Sequence, residues 1–387
     1  MVNYSDYVVS SDPVTELADL ESEWLDLQER ADCSYFQSWG WIGTWLKQIA
    51  IDLRPRVIRI RHGGLLVGMG ILVPAKIKRH LIIYSYAHYL NEYPFNGRNM
   101  VVEFNGLLAD RGHETAVYTE TINYVFKTDK NCDELFLGAI DDRTRCALPV
   151  LRSPELLKDM RLKECDKSNA WAVNLDQFGP DIEAYMATLG KNRRAQLRRS
   201  FRYYDEHGQL SMHEAGNLMQ AMEYFEGLKV LHTRRWQSVG QKGVFANLRW
   251  EAFHRALVRS RFPHNEVQLL MVTDANGPLG YLYNFIWRKH VYVLQSGFRT
   301  PAEKYLLPGY VVHVLAIVHN RKNSMKTYDL MHGDSLYKRL LCNHEEQLYW
   351  MVYQRGRLKF RLEDVAVKMV RSGKNLVKWC RERSWEI

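Results

Sequence analysis

The fold is decided by the stretch VQLLMVTDANGPLGYLYNFIWRKHVYVLQSGF at residues 267–298, which is followed by YLLPGYVVHVLAIVHN at residues 305–320. The first stretch holds three apolar runs, and the Asn-Gly pair at 276–277 is typical of a tight hairpin turn. These runs predict three antiparallel strands. The Pro-Gly pair at 308–309 then opens an apolar helix, since proline at the first helical position loses no hydrogen bond. The run MKTYDLMH at 325–332 predicts the strand that follows this helix.

The first half of the chain predicts the same order of elements. It predicts helices over 14–30 and 36–49, a strand hairpin over 55–77, a helix over 118–127 and a strand over 134–140. Ahead of the meander, the second half predicts a strand over 171–175, a helix from Asp181 to Gly208, a strand over 210–215, and helices over 218–237 and 248–260. The fold class is therefore α/β (α+β), with two tandem domains whose mixed, mostly antiparallel sheets are flanked by helices. We place the domains at 1–168 and 169–354 and a basic helix at 355–387.

Composition and charge narrow the class of protein. The chain has 387 residues, 46% of them hydrophobic, and a formal net charge of +9, which suggests an anionic partner such as a phosphate ligand, nucleic acid or a membrane surface. Its apolar runs are too short to span a bilayer, and its start lacks the features of a signal peptide. The six cysteines form no C-x-x-C pair, so we expect neither a zinc site nor disulfides. A cytoplasmic protein without a metal is predicted.

The excess charge is concentrated at residues 355–387, which hold ten Lys or Arg against four Asp or Glu. Apolar residues recur there at roughly helical spacing, which predicts a basic amphipathic helix. Such a helix is either a solvated element packed on the second domain or a means of peripheral association with the inner membrane or a polysaccharide synthase.

Candidate site residues lie around the apolar helix. The amides of Leu307, Gly309 and Tyr310, together with the helix dipole, form a candidate pyrophosphate site, although an ordinary helix start has the same pattern. Asp334, Tyr337 and Lys338 follow the last strand directly, where charged residues commonly line a cleft. Farther upstream, His232, Arg235 and Trp236 occur in HTRRW, where the His and Arg share a helix face; a lone helical His is also often structural.

The motifs KNRRAQLRRSFR, HTRRW with GQKGVF, YLLPGYVVHVLAI and HGDSLYK occur in an order that resembles the CelD/BcsL-like acetyltransferases of the GNAT superfamily. The opening FQSWGWIGTWL also resembles the start of that family, which is tied to cellulose and exopolysaccharide synthesis. Related FemAB-like aminoacyl transferases carry two GNAT-like domains in one chain. The resemblance thus implies two GNAT-like domains, of which the second is catalytic.

What the resemblance implies is direct acyl transfer from acetyl-CoA or another acyl-CoA to an amine or hydroxyl of a small or saccharide acceptor. Tyr337 is the expected acid, and His232 or Asp334 the base. The amides near Gly309 are expected to bind the phosphates of coenzyme A together with some of the basic residues Lys191, Arg193, Arg194, Arg198 and Arg199, of which Arg194 and Arg198 are preferred. The strand around Ser296 supplies an oxyanion amide. Arg235, Trp236 and Lys338 are assigned to the acceptor.

One departure from the superfamily pattern leaves alternatives open. The usual phosphate loop, Q/R-x-x-G-x-G/A, is absent between Arg299 and Gly309. An aminoacyl-tRNA donor, as in the FemAB-like relatives, would suit the basic stretch at 191–202. The alternative outside the enzymes is that the chain is a non-catalytic adaptor of a membrane polysaccharide synthase.

Overall fold

The computed structural model of the chain describes residues 6–50, 53–79, 83–95, 98–99, 102–149, 160–206, 208, 210–303 and 305–365. The strands are β1 Tyr7–Pro13, β2 Arg56–His62, β3 Leu65–Lys78, β4 Tyr84–Leu90, β5 Pro94–Phe95, β6 Arg98–Asn99, β7 Leu108–Ala109, β8 Glu134–Ile140, β9 Met160–Asn174, β10 Ser211–Glu214, β11 Val267–Asp274, β12 Gly277–Trp287, β13 His290–Phe298, β14 Thr327–His332 and β15 His344–Arg355. The helices are α1 Leu17–Arg30, α2 Trp39–Trp45, α3 Glu114–Thr128, α4 Asp142–Ala147, α5 Ile182–Ala187, α6 Lys191–Glu206, α7 Leu218–Ser238, α8 Leu248–Arg261, α9 Pro308–Lys322, α10 Leu336–Leu341 and α11 over 358–365.

Within the described residues, thirteen strands form one mixed sheet in the order β1-β2-β3-β4-β8-β15-β9-β14-β13-β12-β11-β10, with β7 paired to β3. Two strand pairs are parallel, β4 with β8 and β13 with β14. The order is equivalent when read inward from either edge. Four strands in chain order (β1–β4 or β10–β13) are followed by a strand parallel to the fourth (β8 or β14) and then by a long strand (β15 or β9). We call β1–β8 with their helices the first half and β9–β15 with theirs the second half.

The two halves share the sheet because β15 pairs with β8 on one side and with β9 on the other. The predicted fold class is confirmed, and the sheets of the two halves are continuous. The domain boundary at 168/169 stays a prediction, and it lies inside strand β9.

Aromatic side chains pack at the interface between the two halves. Tyr35 of the first half stacks on Phe285 of β12, with ring centroids 4.3 Å apart. The Trp287 indole donates to the Cys33 carbonyl at 3.0 Å. Arg288 donates to carbonyls of the first half at 2.6 Å. Burial of this much aromatic surface fixes one half against the other.

Most predicted elements are present, and three strands, β8, β11 and β13, begin and end at the predicted residues. The helix predicted from Asp181 to Gly208 is two helices, α5 and α6. Asp181 caps the first by accepting from the Ala184 amide, and the helix ends in a turn where Leu189 donates to the Met186 carbonyl. Strands β1, β4 and β15 were not predicted, and β9 begins at Met160 rather than at Trp171.

The basic C-terminal helix is described only over 358–365. The remainder of that prediction, 366–387, lies outside the described residues. In the part of the chain that the structure covers, no helix combines the length and apolar content needed to cross a membrane.

Candidate active site

The parallel strands β13 and β14 pair over only three positions, from His290 opposite Thr327 to Tyr292 opposite Asp329. Beyond Asp329 no further pairing between them occurs in the described residues, so the two strand ends diverge. We call this opening the C-half gap. It leaves backbone groups of β13 available to a ligand, since an unpaired strand edge can accept another chain.

Strand β13 is bulged where the gap begins. Tyr283 of β12 lies opposite Gln295 while Asn284 lies opposite Val293, so Leu294 is the extra residue. Bulges commonly redirect a strand beside an active site. Leu294 and Ser296 are half-buried, and Ser296 keeps its pairing with β12. This is the strand from which the oxyanion amide was predicted.

The N-terminus of α9 lies next to the gap. It has Pro308 in its first turn, no side-chain cap and no acidic residue in that turn, which leaves the Gly309 and Tyr310 amides without an intrahelical acceptor. The Leu307 amide, also predicted to bind phosphate, instead donates to the Ser200 hydroxyl at 3.3 Å. Gly309 packs on the Phe298 ring, because an added Cβ would lie 3.0 Å from it. The glycine was predicted to let a ligand approach the backbone, but the Phe298 side chain makes that close approach.

Helix α6 supplies positive charge beside α9 through Arg193, one of the five candidates, rather than through the preferred Arg194 and Arg198. Arg198 is exposed and paired with Glu183 at 2.6 Å, and Arg194 donates to the Ala187 carbonyl at 3.3 Å. The Arg193 guanidinium lies 4.3 Å from the centre of the Tyr310 ring. Arg193 thus contacts the first turn of α9, and nothing in the run of basic residues distinguishes it from its neighbours.

Tyr337 lies where the sequence placed it, against the first two turns of α9. Its ring packs edge-on against Tyr310 at 6.3 Å and stacks on His313 at 5.8 Å. Burial raises the pKa of Tyr337 to about 12. The phenol therefore keeps its proton at neutral pH and can donate it as an acid.

A histidine that sequence reasoning passed over stands at the edge of the gap. His332 is the last residue of β14, three positions beyond the final pair with β13. The Glu103 carboxylate, from the first half, lies 2.5 Å from His332 Nδ1 and also accepts the His332 backbone amide at 2.7 Å. A histidine held by a carboxylate is the usual arrangement of a general base. The partners are 229 residues apart, so no local motif could reveal the pair.

Lys338 of α10 reaches the end of β14 with its side chain. Its ammonium donates to the Met331 carbonyl at 3.2 Å and to the His332 carbonyl. Burial lowers the pKa of Lys338, and Glu103 and Asp329 oppose that shift. Met331 has a φ of 65°, which is rare for a residue with a side chain. Lys338 therefore holds the bent end of β14 in place.

The other predicted base, His232, is buried among Trp236, Phe245 and Gly243. Desolvation lowers the pKa of His232 to about 4, which makes it a neutral and weak base. Its backbone lies against Gly297 at the end of β13, while Arg235 is exposed. The HTRRW segment therefore borders the gap on the side away from α9.

Asp334 points away from this arrangement. It is 59% exposed and forms an ion pair with Arg339. Its role as a base stays a prediction, and the held geometry of His332 favours that histidine over both His232 and Asp334.

Carboxyl groups collect on the face of the sheet that carries His332. Glu346 of β15 and His332 lie opposite the same residue of β9, Ala170. Burial, together with Asp141, Asp329 and Asp142, raises the pKa of Glu346 to about 7. A cationic group brought to this face would relieve that repulsion.

The equivalent opening of the first half, which we call the N-half gap, is filled. Strands β4 and β8 also pair over three positions. Beyond them the buried Glu92 carboxyl lies directly on Gly138, where an added Cβ would be 2.1 Å from Oε1. The Asn91 and Asn105 amides bond to each other and to the surrounding backbone. At α3, the first turn contains Glu114, which accepts the Gly112 amide at 2.9 Å.

Parts of this chain are similar to known proteins. Residues 191–339 match the family model described as "Acetyltransferase (GNAT) domain". Among solved structures, FemX superposes with a TM-score of 0.58 at 9% identity, covering 92% of this chain and 99% of that one. L-PGS from Bacillus licheniformis gives a TM-score of 0.51 at 8% identity, covering 90% and 95%. The C-terminal domain of a proposed lysylphosphatidylglycerol synthetase from Agrobacterium fabrum gives 0.51 at 9%, covering 92% and 95%. No curated protein sequence matches the chain.

The second half therefore contains a segment similar to a GNAT acetyltransferase domain. The likeness to FemX, at 9% identity over nearly the whole chain, shows a shared fold. The narrower CelD/BcsL-like assignment stays a prediction. The matched segment runs from the start of α6 into α10, so it contains both sides of the C-half gap.

Proposed function

We propose that the chain is an acyl-CoA-dependent N- or O-acyltransferase of the CelD/BcsL-like type, acting on a small or sugar acceptor in cellulose or exopolysaccharide synthesis. The observation that carries this proposal is the C-half gap beside an uncapped, acid-free helix start. A thioester acyl group fits such a gap because β13 can offer it backbone amides. The helix start suits the pyrophosphate of the carrier.

The chemistry is divided among the residues around the gap. His332, whose Nδ1 lies beside the Glu103 carboxylate, takes the proton of the acceptor at Nε2 while the acceptor nitrogen or oxygen bonds to the thioester carbonyl carbon. A β13 amide near Leu294 or Ser296 donates to the developing oxyanion. Tyr337 gives its proton to the departing sulfur as the C–S bond breaks. Arg193 and the amides of Gly309 and Tyr310 hold the phosphates.

An amine-bearing acceptor, such as an amino sugar, suits the carboxyl groups on the acceptor side best. Glu103, Asp329 and Glu346 all lie on the face that His332 occupies. An ammonium group is attracted to such a face; it first loses one proton to solvent, and His332 then takes a second as the C–N bond forms. A neutral hydroxyl gains less from the same surroundings.

Ligand-induced stabilisation tests the donor, and turnover tests the acceptor. Acetyl-CoA at about 100 times its dissociation constant should stabilise the chain by about 2.7 kcal/mol, measured by thermal unfolding. Absence of any shift with acetyl-CoA and longer acyl forms would contradict the donor assignment. Release of free thiol on adding glucosamine, and none on adding glucose, would support an amine acceptor; the reverse result would favour O-transfer.

A second candidate is an aminoacyl-tRNA-dependent transferase of the FemAB-like kind. It is supported by the likeness to the FemX fold and by the basic residues of α6, of which Arg198 is exposed and Arg194 is partly exposed. If tRNA is the donor, Arg194→Ala with Arg198→Ala should flatten the salt dependence of tRNA binding by about one unit per lost phosphate contact. A chain that binds acetyl-CoA and has no affinity for tRNA at low salt rules this candidate out.

A further inference from the structure

Helix α11 exposes apolar side chains and turns acidic ones inward, the reverse of an ordinary surface helix. Its apolar residues Leu358, Leu362 and Val365 are 69%, 60% and 49% exposed, and their spacing of four and three places them on one face. Its two acids point inward: Glu363 is 3% exposed and Asp364 is about one-third exposed. We call the three exposed residues the outward face.

Ion pairs fix this orientation. Glu363 bonds to Arg79 at 2.9 Å, and Asp364 bonds to both Arg161 and Lys163, at 2.5 and 2.9 Å. Lys359 is held by the fully buried Asp133 at 2.6 Å. Removing one partner of such a buried pair costs several kcal/mol, so the helix cannot simply rotate its leucines inward.

The inner face of α11 is filled as well. Phe360 is fully buried, and Arg79 lies 5.5 Å from the centre of its ring. Phe360 and the paired side chains thus occupy the side of α11 that faces the protein. An apolar face that the protein itself holds in water is typical of a surface that meets a partner.

Charge and neighbouring residues identify the kind of partner. The inward pairing of Glu363 and Asp364 removes the acids of α11 from the outer surface, and the sequence beyond it, 366–387, carries six Lys or Arg against two Asp or Glu. Beside α11, Lys359 donates to the Tyr84 carbonyl at 2.9 Å. The Tyr84 and Tyr86 rings are about half exposed, with the Lys76 ammonium within 6 Å of both. Leucines, tyrosines and lysines together suit the boundary between water and anionic lipid.

We infer that α11 docks the protein on an anionic membrane surface, with Leu358, Leu362 and Val365 inserted among the lipid headgroups. This docking brings the protein, and with it any acyl transfer, to a membrane surface. It is independent of the proposed function, since it needs neither the donor nor the acceptor.

Vesicle sedimentation of the full chain tests the inference. Vesicles of phosphatidylcholine with phosphatidylglycerol should bind the protein, and binding should weaken as salt is raised, because the lipid charge is screened. The double variant Leu358→Gln with Leu362→Gln should bind about tenfold to a hundredfold less tightly, since two leucines no longer leave water. Met219→Gln, which changes an 81% exposed methionine of α7, is the matched control and should bind as the unaltered chain does.

The outcomes separate the possible occupants of the outward face. Loss of vesicle binding in the double variant alone, with its thermal unfolding unchanged, supports lipid docking. Equal binding to vesicles of phosphatidylcholine alone, or no binding to either vesicle, overturns it. Concentration-dependent dimerisation that the double variant abolishes also overturns it, in favour of a second copy on this face. RNA binding that the leucine changes weaken while vesicle binding stays intact assigns the face to nucleic acid instead.

Discussion

The two halves of the molecule share one plan and differ at the same place. Each has a parallel strand pair joined through a helix, and in each the pairing stops after three positions. In the second half the strands then diverge beside a helix start that lacks acids, whereas in the first half Glu92 lies in the opening and Glu114 occupies the helix start. The fold alone therefore does not make a site. In the first half, the carboxyl in the gap and the carboxyl at the helix start together disfavour an anionic carrier.

The largest expected effect follows from removing His332. His332→Gln should lower kcat/KM for acetyl transfer from acetyl-CoA to glucosamine by about 10²- to 10⁴-fold, the usual range for a general base. The measurement is thiol release at saturating donor. Glu103→Gln should cause a smaller fall, since Glu103 acts by positioning the imidazole.

The control for this prediction comes from the first half. His88 of β4 forms the same kind of pair, with Asp129 at 3.1 Å, yet lies far from the C-half gap in the topology of the sheet. His88→Gln should leave turnover within about twofold. Equal losses in both variants would mean that the two halves do not differ in the way proposed.

The second expected effect is on stability and arises from Glu92. Burial raises the pKa of Glu92 from 4.5 to about 8, so the folded state holds this proton more tightly than the unfolded state does. The contribution is fully present below pH 4.5 and is lost as the pH rises through 8. By linkage, the free energy of unfolding should fall by about 4 kcal/mol across this window.

Glu92→Gln removes this pH dependence. The variant should match the unaltered chain at pH 5 and be more stable by up to about 4 kcal/mol at pH 9, as measured by chemical denaturation. Exposed Glu303→Gln is the control and should change neither value. A Gln variant that is less stable at both pH values would show that the carboxyl does not fill the N-half gap as an uncharged group.

The sequence was sufficient for the elements that depend on local pattern. Alternating apolar residues and the Asn-Gly turn determine β11 to β13, and the Pro-Gly pair determines the start of α9. Strand β15 was missed because HEEQLYWMVYQR mixes charged and aromatic residues, and its pairing with both β8 and β9 is a property of the whole sheet.

The site could be predicted only where one motif contained it. Tyr337 lies close to α9 as expected, because both flank the predicted strand β14. His332 was within the quoted HGDSLYK motif but was not selected, since its partner Glu103 comes from the other half. The choice of Arg193 over Arg194 depends on which side of α6 meets Tyr310, and a run of adjacent arginines does not encode that.

A third, smaller effect concerns Tyr337 and sharpens the assignment of the acid. Tyr337→Phe should lower kcat by about tenfold to a thousandfold with KM for acetyl-CoA nearly unchanged, because the hydroxyl acts on the departing sulfur rather than in binding. Steady-state kinetics give both constants. Tyr305→Phe, in the loop ahead of α9, is the control; a similar loss there would remove Tyr337 from the mechanism.

The smallest expected effect exchanges the charge difference between the two helix starts. Tyr310→Glu gives α9 an acid in its first turn, as Glu114 does in α3, while Tyr310→Gln makes the same change of shape without charge. The Glu variant should bind acetyl-CoA about fivefold more weakly than the Gln variant at low ionic strength, because its carboxylate opposes the phosphates and offsets the helix dipole. Calorimetry at two salt concentrations should show the difference shrinking as salt rises. The reciprocal change, Glu114→Gln, should leave the affinity unaltered, since the N-half gap stays filled by Glu92 whatever charge stands at the start of α3.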